Sequence, residues 1–347
     1  MLVRMFEDMF RNVTLILVWL LGAWGPLSVA AHTPAPQEEE LSSANIPDDV
    51  SGLPLDAAQR LELEAVLKQR EYKRAEKILV QEAERNPKSV RSARLLAVAG
   101  GIFFLDRKYL NSAIAYKKAE GITALDDRSR FTLAMAYIKL NHRDWARPEL
   151  EKLMAAQPRD ALYLYWLARL DYDSQNYSGA ISRLRKVVEL DPKMARAYDI
   201  LGLCYDYLGD VKQAIRSYNR AVELNRHASK PAPWPHLNFA ISLIEANRLA
   251  EAEKNLREAI SYDAGLPQAH YQLGRVLEMQ GEHEAAAQSL KQAAELDPAY
   301  PEPHYLLGRI YQRIGEHALA QAEITKFQEL KSSAQGTPKE KPGSSSD

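Results

Sequence analysis

An all-α solenoid of about eight antiparallel helix pairs is the architecture to expect from these 347 residues, and three observations point to it. A small residue recurs at one place in eight successive segments: Ala75, Ser112, Ala146, Ala180, Ala214, Ala252, Ala286 and Ala320. A large apolar residue follows four positions later each time: Leu79, Tyr116, Leu150, Leu184, Tyr218, Leu256, Leu290 and Ile324. Residues four apart share one face of a helix, so the pair marks a helix buried along that face. The segments start at Asp56, Ala93, Asp127, Ala161, Ala195, Pro233, Pro267 and Pro301, in steps of 37, 34, 34, 34, 38, 34 and 34. A period in this range marks stacked supersecondary units, none of which buries its apolar face alone.

In chain order, Arg4 and Arg11 flank a polar start that also holds Glu7 and Asp8, and Val13 to Trp24 is then almost wholly apolar. Gly25-Pro26 ends any helix there, and small residues follow up to Ala31. Residues 1–31 read as a signal peptide cleaved near Ala31, which makes the protein periplasmic or secreted. The alternative is an uncleaved N-terminal anchor in which residues 13–24 tether the chain to a membrane. Residues 32–55 carry Pro34, Pro36, Pro47, Pro54 and the run Glu38-Glu39-Glu40, without apolar periodicity, and read as a flexible linker.

The array occupies 56–331. Unit five states the pattern most fully. Its first helix runs from Ala195 to Tyr207 with Tyr198, Leu201, Gly202 and Tyr205, and its second from Val211 to Leu224 with Ala214, Tyr218 and Ala221. Leu208-Gly209-Asp210 joins them, because glycine tolerates the positive φ that ends a helix. Gly202 and Ala214 let the two backbones approach where the helices cross, and Gly274 with Ala286 and Gly308 with Ala320 do the same in units seven and eight. Pro87, Pro158, Pro192 and Pro298 stop several second helices. Unit one has Leu63 where a small residue is expected, and unit two has Ser112 for alanine. After unit five a longer join spans residues 226–235 and includes Trp234, either as a tolerated insertion or as a projecting contact element. Residues 332–347, rich in Ser, Gly, Pro and Lys, are expected to be disordered.

This pattern of an aromatic, Leu-Gly, Tyr, then Ala, an aromatic, Ala and Pro resembles the tetratricopeptide repeat (TPR) family over most of the chain. The resemblance implies a right-handed solenoid that acts in protein–protein binding, with the first helices lining a concave groove. Carried over by position, the ligand-facing residues are Tyr165, Arg169 and Tyr172 in unit four, Asp199 and Asp206 in unit five, and Asn238 in unit six. Units seven and eight add Tyr271, Arg275, Tyr305 and Arg309. Arginines beside aromatics are the residue types of binding hot spots. Asp199 and Asp206, two turns apart on one helix, suggest a patch of opposite sign.

No catalytic constellation emerges, and neither a cofactor nor a metal is expected. Cys204 is the only cysteine, so no intrachain disulfide forms. His236, His270 and His304 recur at one position in three units, but helices pack 8–10 Å apart and cannot bring three such residues onto one ion. A net charge of −1 disfavours nucleic acid. The reading is a non-catalytic scaffold that binds a protein or peptide segment in its groove. The alternatives are an accessory or regulatory arm of an enzyme whose catalytic chain is separate, and an RNA-binding helical repeat, which the charge opposes.

Overall fold

The computed structural model describes residues 52–336; residues 1–51, which include the expected signal peptide and most of the expected linker, and residues 337–347 lie outside the described residues. Among the described residues there are sixteen helices and no strand. They form eight consecutive pairs: α1 (Ala57–Lys68) with α2 (Tyr72–Glu84), α3 (Val90–Leu105) with α4 (Tyr109–Glu120), α5 (Asp127–Lys139) with α6 (Arg143–Ala156), and α7 (Ala161–Asp173) with α8 (Tyr177–Leu190). Then follow α9 (Ala195–Tyr207) with α10 (Val211–Arg226), α11 (Trp234–Glu245) with α12 (Leu249–Tyr262), α13 (Pro267–Gln280) with α14 (His283–Leu296), and α15 (Pro301–Arg313) with α16 (His317–Gly336). Each helix packs on its partner and on the next unit. Successive first helices also touch, as in α7–α9, α9–α11 and α13–α15, which no successive second helices do to that extent among the described residues. The first helices therefore stand on the inner side of the array.

The crossings explain the small residues. A Cβ on Gly202 would lie 2.4 Å from the ring of Tyr218, one on Gly274 2.6 Å from Leu290, and one on Gly308 2.7 Å from Ile324. The group that fills the space over each glycine is thus the large residue four beyond the small one, so Gly202 meets Tyr218 first rather than Ala214. At Gly274 and Gly308 the same Cβ would also come within 3.2 and 3.3 Å of the Ala286 and Ala320 carbonyls, which is where the small second-helix residue admits the close approach. In unit two Ser112 donates its hydroxyl to the Gly100 carbonyl at 2.7 Å, so the extra polar atom is satisfied inside the crossing. Leu63 is fully buried in its own unit's core with Ala75 and Leu79.

The turn inside every unit has one geometry. A residue with φ between 56° and 88° follows each first helix: Arg70, Arg107, Asn141, Gln175, Gly209, Asn247, Gly281 and Gly315. The next N–H then donates back to the carbonyl five residues earlier, at 2.8–2.9 Å, from Glu71 to Val66 through Glu316 to Tyr311. This is the Schellman closure, which satisfies carbonyls the helix end leaves open. Five of the eight residues are not glycine, and a left-handed L-residue costs about 1 kcal/mol or more. Gln175→Gly is therefore expected to raise stability by about 0.5–1 kcal/mol, read as an increase in the urea midpoint; an unchanged or lowered midpoint contradicts this.

Several boundaries differ from the sequence expectation, α10 among them, which runs to Arg226 rather than Leu224. Helix α3 begins three residues before Ala93, because the Ser89 hydroxyl accepts from the Ser92 N–H and caps it there. Helix α11 begins at Trp234, so this residue belongs to a helix rather than to a projecting loop. The join before it is fastened by Asn225, whose side chain both donates to the Ala232 carbonyl and accepts from its N–H, each at 2.9 Å. Helix α16 continues past Lys331 to Gly336. Within residues assigned to the linker, Leu55 is buried, Leu53 packs on the core of unit one, and Arg60 donates to the Leu55 carbonyl at 3.1 Å.

Candidate functional site

The inner face divides into a filled stretch and an open one. In units four to six the residues assigned to ligand contact are largely consumed by packing. Tyr165 is buried beneath the Arg196 guanidinium, 4.5 Å from its ring centre. Burial pushes the Tyr165 phenol up to about 12 and the Arg196 guanidinium down to about 10. Arg169 is buried and donates to Asp173 at 3.2 Å, and Tyr172 is buried among Tyr177 and Tyr207. Tyr177 and Tyr207 stack face to face with ring centres 4.6 Å apart.

The two aspartates do not form an open acidic patch. Asp199 is 2% exposed, and the Asn238 side-chain amide, itself buried, donates to both its oxygens at 3.1 and 3.2 Å. Asp206 accepts from the Tyr218 hydroxyl at 2.8 Å and from the Ser242 hydroxyl at 2.9 Å. Burial raises both carboxyls to about 6. The physical reason is that α11 packs beside α9 and brings Asn238 and Ser242 against these carboxylates. Tyr165, Arg169, Tyr172, Asp199 and Asn238 are thus wall material rather than ligand-facing groups.

Units seven and eight are different. Tyr305 is 44% exposed and Arg309 46% exposed, with Arg313 alongside at 53%. Arg309 and Arg313 share Glu278, each at 3.4 Å. Tyr271 and Arg275 are half-buried on the preceding first helix, where Arg275 donates to Gln272 at 2.7 Å. Burial raises the Tyr271 phenol, and the nearby positive charges of Arg275 and Arg309 oppose that rise. Behind them Tyr271 packs on Tyr300, and Tyr305 on Phe327. Two guanidiniums on one shared carboxylate, with Arg275 nearby on Gln272 and aromatic rings alongside on rigid helices, make a surface suited to an acidic or carbonyl-rich segment.

The repeated histidines have separate partners. His236 is buried with Nδ1 3.1 Å from Asn255 Oδ1, His270 Nε2 lies 3.0 Å from the Ala264 carbonyl, and His304 Nδ1 lies 2.6 Å from Glu323. Among the described residues no group of three or more His, Cys, Asp or Glu could hold a metal ion. Cys204 is buried, and burial pushes its thiol up to about 12. No helix of the described residues is long and apolar enough to cross a membrane, and residues 13–24 lie outside them.

One feature escaped the sequence reading. At the other end of the inner face, a half-open cleft of about 310 Å³ is lined by Gly52, Leu53, Arg94, Ala97, Val98, Tyr116, Asp126, Arg128 and Ser129. Its signal was present: Arg94, Arg128 and Arg196 are each the second residue of their unit as counted from the repeat starts.

Comparison with known proteins agrees with this architecture. The TPR repeat model matches residues 279–315 and the tetratricopeptide repeat model residues 301–333. The model for subunit 3 of the anaphase-promoting complex, or cyclosome, matches residues 146–221. The chain carries tetratricopeptide repeats, matched over residues 279–333. A curated relative, anaphase-promoting complex subunit 3 of Dictyostelium discoideum, is 30% identical over 106 residues, which is 30% of this chain and 10% of that protein. The chain thus matches about a tenth of that relative's length. Among solved structures, the APC/C hetero-tetramer Cut9–Hcn1 superposes with a TM-score of 0.58 at 15% identity, covering 75% of this chain and 50% of that one. PilF of Pseudomonas aeruginosa does so at 0.54 and 19% identity, covering 62% and 97%. At these identities the likeness concerns fold.

Proposed function

We infer that the protein is a non-catalytic interaction scaffold whose ligand is a protein or peptide segment, held on the first-helix face of units seven and eight. The observation that carries this is the contrast along one face. Units four to six bury Tyr165, Arg169 and Tyr172 in internal packing and stack the exposed Tyr207 on Tyr177, whereas Tyr305, Arg309 and Arg313 stand together in solvent on a preformed support. A preformed surface binds without paying for its own ordering. The ligand end that meets units seven and eight carries acidic groups, which displace or share Glu278 at Arg309 and Arg313 and reach Arg275 beside them.

The test is the pair Arg275→Ala with Arg309→Ala. Neither is in the core, so stability should change by no more than about 0.5 kcal/mol per site. Truncation of binding anchors typically costs about 2 kcal/mol or more, or roughly thirtyfold in affinity. A folded double variant that captures its partner at full affinity removes this face from the binding site.

A second reading is favoured by the stretch at 146–221 that resembles a subunit of a multi-protein complex. In it the chain is an accessory arm beside a separately encoded catalytic chain, and a stable copurifying enzyme would distinguish it from a free-standing adaptor. We further propose export, from the apolar run Val13–Trp24 and the small residues before His32, with the uncleaved anchor as the alternative. Mass spectrometry of the native protein should find an N-terminus near His32. Soluble cytoplasmic protein that still begins at Met1 would contradict it.

A further inference from the structure

We propose that the cleft between units two and three is a docking site for an acidic segment, and that its occupant is the chain's own stretch Glu38–Asp49. Leu55 is buried, its carbonyl is held by Arg60, and the Leu55 N–H donates to the Leu53 carbonyl at 2.8 Å. These contacts fix the path, and Gly52 and Leu53 themselves form part of the cleft wall. The residues that precede Gly52 are therefore delivered at this site by the covalent chain.

Charge is complementary at the point of delivery. The run Glu38-Glu39-Glu40-Leu41-Ser42-Ser43-Ala44-Asn45-Ile46-Pro47-Asp48-Asp49 holds five carboxylates and no basic residue. The cleft presents Arg94 and Arg128, both exposed, one on each of the neighbouring helices α3 and α5. Arg94 has no ion pair among the described residues. Asp126 also lines the cleft, but its carboxylate accepts from the Ser129 N–H at 2.7 Å as the cap of α5 and faces that helix end. Ala97, Val98 and Leu53 supply an apolar floor that suits Ile46 and Val50. Reach is ample: Glu38 is 14 residues from Gly52, which span at most about 46 Å. Because the segment is tethered, its effective concentration at the cleft is on the order of millimolar, so a few partly screened ion pairs suffice. Docked there, it would occupy the N-terminal end of the inner face and leave units seven and eight open. The proposal stands apart from what those units bind.

The experiment is amide hydrogen exchange of the full chain across residues 38–51. In low salt these amides should exchange about tenfold more slowly than in a free peptide of the same sequence, the change that one or two such ion pairs convert to. Protection should vanish at 0.5 M NaCl and in the variant Arg94→Glu with Arg128→Glu, and return when Glu38, Glu39, Glu40, Asp48 and Asp49 are also replaced by Lys. Should the arginine variant fail to fold, neutralising the five acids to Gln and Asn must abolish the protection by itself. Exchange at free-peptide rates in the wild-type chain overturns the proposal. Protection that rises with protein concentration also overturns it, since the occupant would then be a second copy.

Discussion

Gly202→Leu is expected to be among the most damaging single changes in the array. Even a methyl group at Gly202 would lie 2.4 Å from the Tyr218 ring, which is wholly buried and has no room to retreat. Moving that ring also pulls its hydroxyl from Asp206, to which it donates at 2.8 Å, and leaves a half-buried carboxylate short of a donor. Overpacking costs about 1–3 kcal/mol and a lost buried hydrogen bond about 1–3 more. Stability in a repeat array is close to a sum of nearest-neighbour terms, so units four and six should loosen before unit one or eight does. Thermal unfolding with local hydrogen exchange checks this, and an unchanged melting temperature would show that the crossing is not where it is drawn.

The second large effect is a dependence on pH. Burial holds the Asp199 and Asp206 carboxyls at about 6, against an ordinary 3.8. The folded state binds these protons more tightly than the unfolded chain. Their contribution to stability is therefore complete below about 4 and is lost as pH rises through about 6, by something on the order of 2 kcal/mol for the fully buried Asp199. Asp199→Asn removes that loss. Wild type should fall relative to Asp199→Asn between pH 4.5 and 7.5 in urea unfolding, and the variant should be the more stable by on the order of 1 kcal/mol at the upper end. Parallel curves for the two proteins would contradict the burial of an ionisable group there. Asn238→Ala should act in the opposite direction at pH 7.5, because Asp199 then loses both donated contacts.

The packing was legible in the sequence because volume is a property of the residue. Gly274 with Leu290, or Gly308 with Ile324, fit together wherever the period places them. The turns were legible only in part. Gly209, Gly281 and Gly315 announce a left-handed residue, but Arg70, Arg107, Asn141, Gln175 and Asn247 adopt the same φ because the closure imposes it on whatever residue stands there. The inner face was misjudged for a related reason. Register correctly places Asp199 on a first helix, but exposure is decided by the neighbouring helix. Asn238, in the next unit and 39 residues on, closes over it, whereas Tyr305 has nothing comparable above it. The cleft at Arg94 and Arg128 needs Leu53 and Gly52 folded back against unit one, and the prolines and carboxylates before them gave no hint of that.

We propose that ligand binds the first-helix face of units seven and eight. Site-specific photo-cross-linking in cells tests it most directly, with the photoreactive group placed at Tyr305 in one variant and at Leu110 in another. Leu110 is 57% exposed on a second helix and serves as the outward-facing reference. The account predicts a discrete cross-linked partner from position 305 that disappears when Arg275→Ala and Arg309→Ala are added, and none from position 110. A partner captured at position 110, with position 305 silent, would contradict it.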